Sequence, residues 1–345
     1  MSSNKSSTFL RSIKPPKKNN SYAHSSPQQA TGYSGKVLDK FNTQKISISV
    51  IGAGNVGSAI AYALTIKNVA SEINIIDVNE EKQEGEVMDI SDGIAFVETG
   101  VVKNGSFKDA KNSDIIVVTA GSRQKPGDTR LDLAMENKKI MKSIFQKIGR
   151  LKPTSIVIIV SNPVDVLTHY VQKITNLPAG QVLGSGTTLD TSRLRTMLSL
   201  KFKVSAQNIH GYVLGEHGNS SFVAWSTVTI GGIPIKEVKG FTQEYAKHTE
   251  IEVRKQAYEI IEKKGSTYYG IGLSVANIIK AILFDQSLVL PVSARLDNWN
   301  GVSNVCLGTL AIVGRNGVKG LWPLKLNTEE KKKLKKSADL VKSYL

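Results

Sequence analysis

The chain has 345 residues, 40% hydrophobic and 21% charged, the balance of a soluble globular protein large enough for a sizeable core. Its single cysteine, Cys306, excludes an internal disulfide framework and fits a reducing compartment. The formal charge of +16 invites a nucleic-acid or membrane reading, but the way that charge is distributed argues against both.

Lys5, Arg11, Lys14, Lys17, Lys18 and Lys36 all precede the first acidic residue, Asp39. They belong to residues 1–44, rich in Ser, Asn, Lys and Pro and without an apolar period, which predicts a flexible basic extension. It has no apolar segment of the secretory type, so the expected location is the cytoplasm. The Ser-rich, acid-poor composition also resembles an organellar transit peptide, although its arginines are few and it forms no clear amphipathic helix. An oligomer-stabilising arm is the other reading.

From Ile46 onward, short apolar runs alternate with helical stretches. Strands are predicted at 46–51, 73–77, 114–119 and 155–160, with helices at 55–67, 128–150 and 164–174. Near-continuous Val/Ile strands between amphipathic helices indicate a parallel sheet covered on both faces. The stretch 46–66 is about as long as a membrane span, but its glycines and its switch of period mark a strand–turn–helix instead. After Gly184 the rhythm changes. Helices are predicted at 188–202, 243–264, 267–283 and 328–344, and β runs at 210–214, 222–228, 287–291 and 305–313. This half reads as a mixed α+β domain. Lys331, Lys332, Lys333, Lys335 and Lys336 form a solvated face of the last helix. No aromatics interleave with them, so no nucleic-acid partner is expected.

Between the first strand and helix stands Gly52-Ala53-Gly54-Asn55-Val56-Gly57, a G-x-G-x-x-G pattern. Gly52 permits the tight turn, Gly54 lets a pyrophosphate approach the backbone, and Gly57 lets helix and strand pack closely. The N–H groups of Asn55, Val56 and Gly57 open the helix toward the phosphates. Asp77 ends the next strand. A carboxylate there accepts hydrogen bonds from a ribose and repels a 2′-phosphate, which favours NAD over NADP. The plain alternative is a turn glycine cluster with a loop aspartate. The expected organisation is therefore an extension at 1–44, an NAD-binding Rossmann domain at 45–184 and a substrate domain at 185–345.

Hydride transfer to a 2-keto acid needs a proton donor, a partner for that donor, a fork for the carboxylate and a cation for the carbonyl. His217, in Gly215-Glu216-His217-Gly218, suits the first task near neutral pH. Asp190 suits the second, because an opposite charge raises an imidazole pKa. Arg193, three residues on, shares its helix face and carries the planar guanidinium that carboxylates prefer. Arg130 follows a polar loop with two glycines, of the kind that can act as a lid, and is the candidate for the carbonyl cation. Taken singly, these residues are also a turn histidine and an ordinary helix ion pair.

The Gly52–Gly57 pattern, the loop 121–133, Ser161-Asn162-Pro163-Val164-Asp165, the segment 184–195 and Gly215–Gly218 occur in order over residues 45–345. On these motifs the chain resembles the L-lactate/malate dehydrogenase family, most closely its bacterial-type lactate dehydrogenases. The resemblance implies NAD-dependent interconversion of pyruvate and L-lactate without a metal, by a homotetramer or, as the alternative, a dimer. It implies His217 as acid/base with Asp190 as partner, Arg193 on the substrate carboxylate and Arg130 on the carbonyl. It also implies Asn162 at the substrate and nicotinamide, Thr267 in the pocket wall and Arg123 at the pyrophosphate. The position that separates lactate from malate enzymes falls on Gln124. An uncharged residue there leaves the second carboxylate of oxaloacetate unpaired, at a cost of roughly several kcal/mol when buried. Asn219 and the proline-free Ser221–Ser226 depart from the family pattern and leave room for a bulkier 2-keto acid. Arg195 and His210 match positions that bind fructose 1,6-bisphosphate in bacterial relatives, or are a surface arginine and a core-edge histidine. The competing readings are malate dehydrogenase, a broader L-2-hydroxy-acid dehydrogenase, an NAD-dependent glycosidase that would need a Cys/His metal pair, and a non-catalytic structural or nucleic-acid-binding derivative.

Overall fold

A strand whose residues are buried on both faces is satisfied only when both faces are covered and both edges paired. Ser47–Ile51 (β1) meets that demand: its last four residues are buried and it pairs in parallel with a strand on each side. The computed structural model describes residues 45–98, 100–122 and 129–345. After β1 come Asn55–Ile66 (α1), Glu72–Ile76 (β2), Glu80–Asp92 (α2), Val101–Asn104 (β3), Phe107–Asn112 (α3), Ile115–Val118 (β4), Arg130–Ile148 (α4), Ile156–Ile159 (β5), Val164–Ile174 (α5) and Val182–Gly184 (β6). These six strands are parallel, in the order β3-β2-β1-β4-β5-β6. The order reverses between β1 and β4, and ligands of such sheets bind in the crevice at the carboxyl ends of those strands. The apolar stretch 46–66 is thus a buried strand, a turn and a helix. Among the described residues, no helix is long and apolar enough to cross a membrane.

The second half contains Thr188–Phe202 (α6), Ile209–His210 (β7), Val213–Leu214 (β8), Phe222–Val223 (β9), Thr229–Ile230 (β10), Ile233–Pro234 (β11), Gln243–Lys264 (α7), Tyr269–Leu283 (α8), Leu288–Leu296 (β12), Val305–Gly314 (β13), Gly317–Leu321 (β14) and Thr328–Lys342 (α9). It joins the first sheet: β12 pairs antiparallel with β6, and β13 and β14 extend the sheet to nine strands. The run expected at 287–291 continues to Leu296, because Pro291 sits inside the strand and its carbonyl accepts the Thr187 N–H. The run expected at 210–214 divides at Gly211 into β7 and β8, which belong to different sheets. The run expected at 222–228 stops at Val223 and passes into a 3-10 turn at Trp225–Thr227. Helix α8 starts at Tyr269, so Thr267 lies on the connection before it.

α1 and α8 cover one face of the sheet, where Ile60, Leu64, Val275 and Ile279 pack against Ile48, Val50 and Ile75. Close approach of the two helices requires Gly272, since a Cβ there would lie 2.8 Å from the Ala59 carbonyl oxygen. On the opposite face, Met141, Phe145 and Leu167 from α4 and α5 pack on Ile116, Val118 and Val157. α9 seals a third cluster with Leu334, Ala338 and Val341 against Leu214, Phe222, Leu307 and Leu310.

Candidate active site

At the carboxyl end of β1 the chain turns through Gly52, whose φ of 108° side chains avoid. A Cβ on Gly52 would lie 2.6 Å from Thr119 Oγ1, and one on Gly57 would lie 1.8 Å from the Gly52 carbonyl oxygen. Both glycines are therefore required by packing. Gly54 differs: a Cβ there would meet nothing within 4 Å. It caps α1 without a side-chain hydrogen bond, so the first N–H groups of the helix face open space. Asp77 Oδ2 accepts the Ala53 N–H at 2.6 Å and Oδ1 accepts the Asn79 N–H at 2.9 Å, which fixes the carboxylate beside the turn. An open helix N-terminus beside a fixed carboxylate fits a dinucleotide pyrophosphate and ribose.

His217 lies on the turn between β8 and β9. Gly215 opens that turn with φ of 90°, and it exchanges two backbone hydrogen bonds of 2.9 Å with Gly308 on β13. From below, Ser337 Oγ on α9 accepts the Glu216 N–H at 2.7 Å. The imidazole Nδ1 stands 2.6 Å from Asp190 Oδ2, and Arg193 Nη1 donates to Asp190 Oδ1 at 2.9 Å. Asp190 occupies the first turn of α6, where the helix dipole favours an anion, and is only 6% exposed. Burial alone would pull the His217 pKa down, but the Asp190 charge and hydrogen bond outweigh it and the net shift is upward. Burial would likewise raise Asp190, yet the charges of His217 and Arg193 hold it below the usual carboxylate range. The His217 side chain keeps 26% exposure, so the ring is reachable while its Nδ1 edge is held. A ring whose protonated form is favoured in this way can give up a proton from Nε2.

A second carboxylate lies beneath the histidine. Asp165 Oδ2 accepts the His217 backbone N–H at 2.8 Å and Oδ1 accepts the Ser293 hydroxyl at 2.6 Å. Its burial pushes the carboxyl up to about 6, against the opposing pull of those two hydrogen bonds. Arg130 is the first residue of α4, held by a capping box between Thr129 and Asp132. It reaches the histidine turn, with Nη2 3.1 Å from the His217 carbonyl oxygen and 3.0 Å from Glu216 Oε1. His217, Asp190, Arg193 and Arg130 thus converge from α4, α6 and one turn.

The remaining predicted residues are placed less directly. Asn162 is exposed, and the Asn162–Pro163 peptide is cis. Its carbonyl accepts Asn137 Nδ2 at 2.7 Å, and Asn137 Oδ1 accepts the Ser122 N–H at 2.7 Å. Buried Asn137 therefore ties the loop after β4 to the loop after β5. Thr267 is half-buried; on either side of it, Ser266 accepts Asn55 Nδ2 at 2.9 Å and Gly270 lies against Leu189. Arg123 and Gln124 lie outside the described residues. Arg195 is half-buried, stacks on Tyr212 and donates from Nε to the Gly211 carbonyl at 3.2 Å, while neighbouring His210 is exposed. Burial lowers the Arg195 pKa from its ordinary value. Cys306 is fully buried, which pushes its thiol well up and leaves it inert. Among the described residues, no cluster of His, Cys, Asp and Glu is arranged to hold a metal. Asn137, Asp165, Glu216, Ser293 and Ser337 had no role in the sequence reading. Only Asp165 and Glu216 carried a signal, as members of the motifs around Asn162 and His217.

A dinucleotide turn at the sheet's switch point and a carboxylate-held histidine beside two arginines define a class: pyridine-nucleotide dehydrogenases that move a proton and a hydride together. The family model for the lactate/malate dehydrogenase NAD binding domain matches residues 46–184, and that for the alpha/beta C-terminal domain matches residues 187–345. L-lactate dehydrogenase 1 of Clostridium acetobutylicum is 46% identical over 306 residues, covering 86% of this chain and 97% of that relative. An L-lactate dehydrogenase of a Thermoanaerobacter species is 44% identical over 303 residues, with 86% and 97% covered. The crystal structure of a minor L-lactate dehydrogenase from Enterococcus mundtii superposes with a TM-score of 0.84 at 40% identity, covering 87% of this chain and 97% of that one. The chain belongs to the lactate/malate dehydrogenase family.

Proposed function

We propose that the chain is an NAD-dependent L-lactate dehydrogenase that reduces pyruvate to L-lactate and runs the reverse reaction. The observation that carries this is the Asp190 carboxylate bonded at once to His217, at 2.6 Å, and to Arg193, at 2.9 Å, with the ring still reachable. Bound NADH supplies the hydride that reaches C2 of pyruvate. His217 Nε2 delivers the proton to the carbonyl oxygen, and Asp190 keeps that ring charged beforehand. Arg193 spends one nitrogen on Asp190 and directs the rest of its fork to the substrate carboxylate. Arg130 polarises the carbonyl, and Asn162 and Thr267 shape the pocket. Gly52, Gly54, Asn55, Val56, Gly57, Asp77 and Arg123 bind the cofactor. Residues 45–184 hold NAD and 185–345 hold the substrate.

Gln124 sets the choice of pyruvate over oxaloacetate, in keeping with relatives named L-lactate dehydrogenase. The enzyme works in the cytoplasm as a homotetramer. Tyr62 and Ile66 on α1 and Tyr269 and Leu273 on α8, each more than half exposed, support association. Arg195 and His210 form an effector site for fructose 1,6-bisphosphate, supported by their adjacency through Gly211. The test is NADH oxidation with pyruvate, oxaloacetate and 2-ketoisocaproate, each with and without the bisphosphate. Pyruvate is expected to lead and to respond to the bisphosphate. Oxaloacetate leading would make the chain a malate dehydrogenase, and no turnover would leave the non-catalytic reading.

A further inference from the structure

We infer that Glu216 and Gly218, on either side of His217, form a seat that positions the Arg130 guanidinium over the reacting carbonyl. Glu216 is a carboxylate whose side chain is only 4% exposed, two residues beyond β8. A buried anion needs full pairing to be tolerated, and this one has it. Oε1 takes Arg130 Nη2 at 3.0 Å, while Oε2 takes the Ser220 hydroxyl at 2.5 Å and the Ser220 N–H at 3.3 Å. The same Nη2 donates to the His217 carbonyl at 3.1 Å. One nitrogen of Arg130 is therefore committed to the histidine turn. Among the described residues, Nε and Nη1 have no hydrogen-bond partner, and the side chain keeps 28% exposure. A guanidinium held at one corner offers its other donors in a fixed plane, which is what a polarising group needs.

Gly218 supplies the second, independent observation. A Cβ at this position would lie 2.2 Å from Arg130 Nη2 and 2.8 Å from both its Cζ and its Nη1. The guanidinium therefore rests directly on the bare Cα of Gly218. Its backbone is not in the left-handed region, so alanine is tolerated by the chain itself. The three nearest atoms in the way all belong to Arg130, at the tip of a flexible side chain. Substitution would leave the fold intact and push the cation aside.

This inference rests on the dehydrogenase reading, and the experiment separates the two. Measure kcat/KM for pyruvate in wild type, Gly218→Ala, Glu216→Gln, Glu216→Asp and Arg130→Gln, and in each seat variant combined with Arg130→Gln. NADH affinity by fluorescence monitors folding and cofactor binding, and is expected within about twofold of wild type. Gly218→Ala and Glu216→Gln are each expected to lose about tenfold or more, since small misplacements of a positioned group are costly. Glu216→Asp should recover part of that loss. Neither seat variant should lower activity further once Arg130 is Gln, because residues acting through one group are not additive. Seat variants within twofold of wild type or faster, or losses that multiply with Arg130→Gln, would overturn the seat. A wild type inactive on pyruvate would overturn the functional reading instead. The seat would then be judged by whether the guanidinium leaves Gly218 in the crystal structure of Gly218→Ala.

Discussion

The turn between β1 and α1 and the cluster around His217 solve different problems with different materials. The turn is six contiguous residues, and what matters in it is the absence of side chains. Gly52 and Gly57 are forced by backbone atoms within 3 Å of where a Cβ would stand, and Gly54 is left open. The cluster draws Asp165 from α5, Asp190 and Arg193 from α6, Ser293 from β12 and Arg130 from α4, all onto one turn. It is built from buried charge: Asp190 and Glu216 are each held by a cation, and Asp165 by two hydrogen-bond donors. A methyl group damages the first region. A lost charge damages the second, because it leaves a buried partner unpaired.

The largest effect separating the two is expected for His217→Gln. Removing the proposed proton donor should lower kcat for pyruvate about 10³-fold, within the usual range for a general acid, with NADH affinity unchanged by fluorescence titration. Next comes Gln124→Arg, which supplies a cation for a second carboxylate. The ratio of kcat/KM for oxaloacetate to that for pyruvate should rise at least about tenfold. An unchanged ratio would mean that Gln124 does not set the choice of substrate. The turn is probed by a pair of variants. Gly57→Ala forces a Cβ to 1.8 Å from the Gly52 carbonyl and should lower both the melting temperature and NADH affinity. Gly54→Ala has room in the fold and should weaken only NADH, about tenfold or less. Equal melting losses for both would contradict the division between packing and binding glycines.

The smallest effect expected is a displaced pH profile. His217 titrates above its ordinary value because Asp190 outweighs burial. Pyruvate reduction needs the protonated ring, so kcat/KM is full below that raised pKa and falls as pH rises through it. Asp190→Asn removes the charge that raises it, and the fall should begin at lower pH. A profile that stays in place would mean that Asp190 orients the ring without tuning it.

The same contrast explains what could be read from the residues alone. The Gly52–Gly57 turn and Asp77 were legible from their places at the ends of successive strands, and the His217, Asp190 and Arg193 positions from short motifs that carry the family resemblance. The parallel strands β4 and β5 were legible as unbroken Val/Ile runs, and β1 and β2 as apolar runs broken by Ser49 and Asn74. α2 was not, because only Gln83, Val87 and Ile90 of its thirteen residues are buried and the rest are largely charged. β3, with Val102 alone buried, and the three-residue β6 carry no periodic signal. Pro291 and Arg295 concealed the inner half of β12. Asn137, Ser293 and Ser337 were illegible for a deeper reason. Each is an ordinary polar residue until tertiary packing places it against a site residue distant in sequence. Ser293 meets Asp165 across 128 residues, and Ser337 meets Glu216 across 121.

Pyruvate-dependent NADH oxidation by the wild-type chain beside His217→Gln, with the product resolved by chirality, tests the central claim most directly. The account predicts steady turnover to L-lactate by the wild type and about a 10³-fold loss in the variant. A wild type inert toward pyruvate, or a variant within a few-fold of it, would contradict the claim that His217, held by Asp190, carries the proton of an L-lactate dehydrogenase.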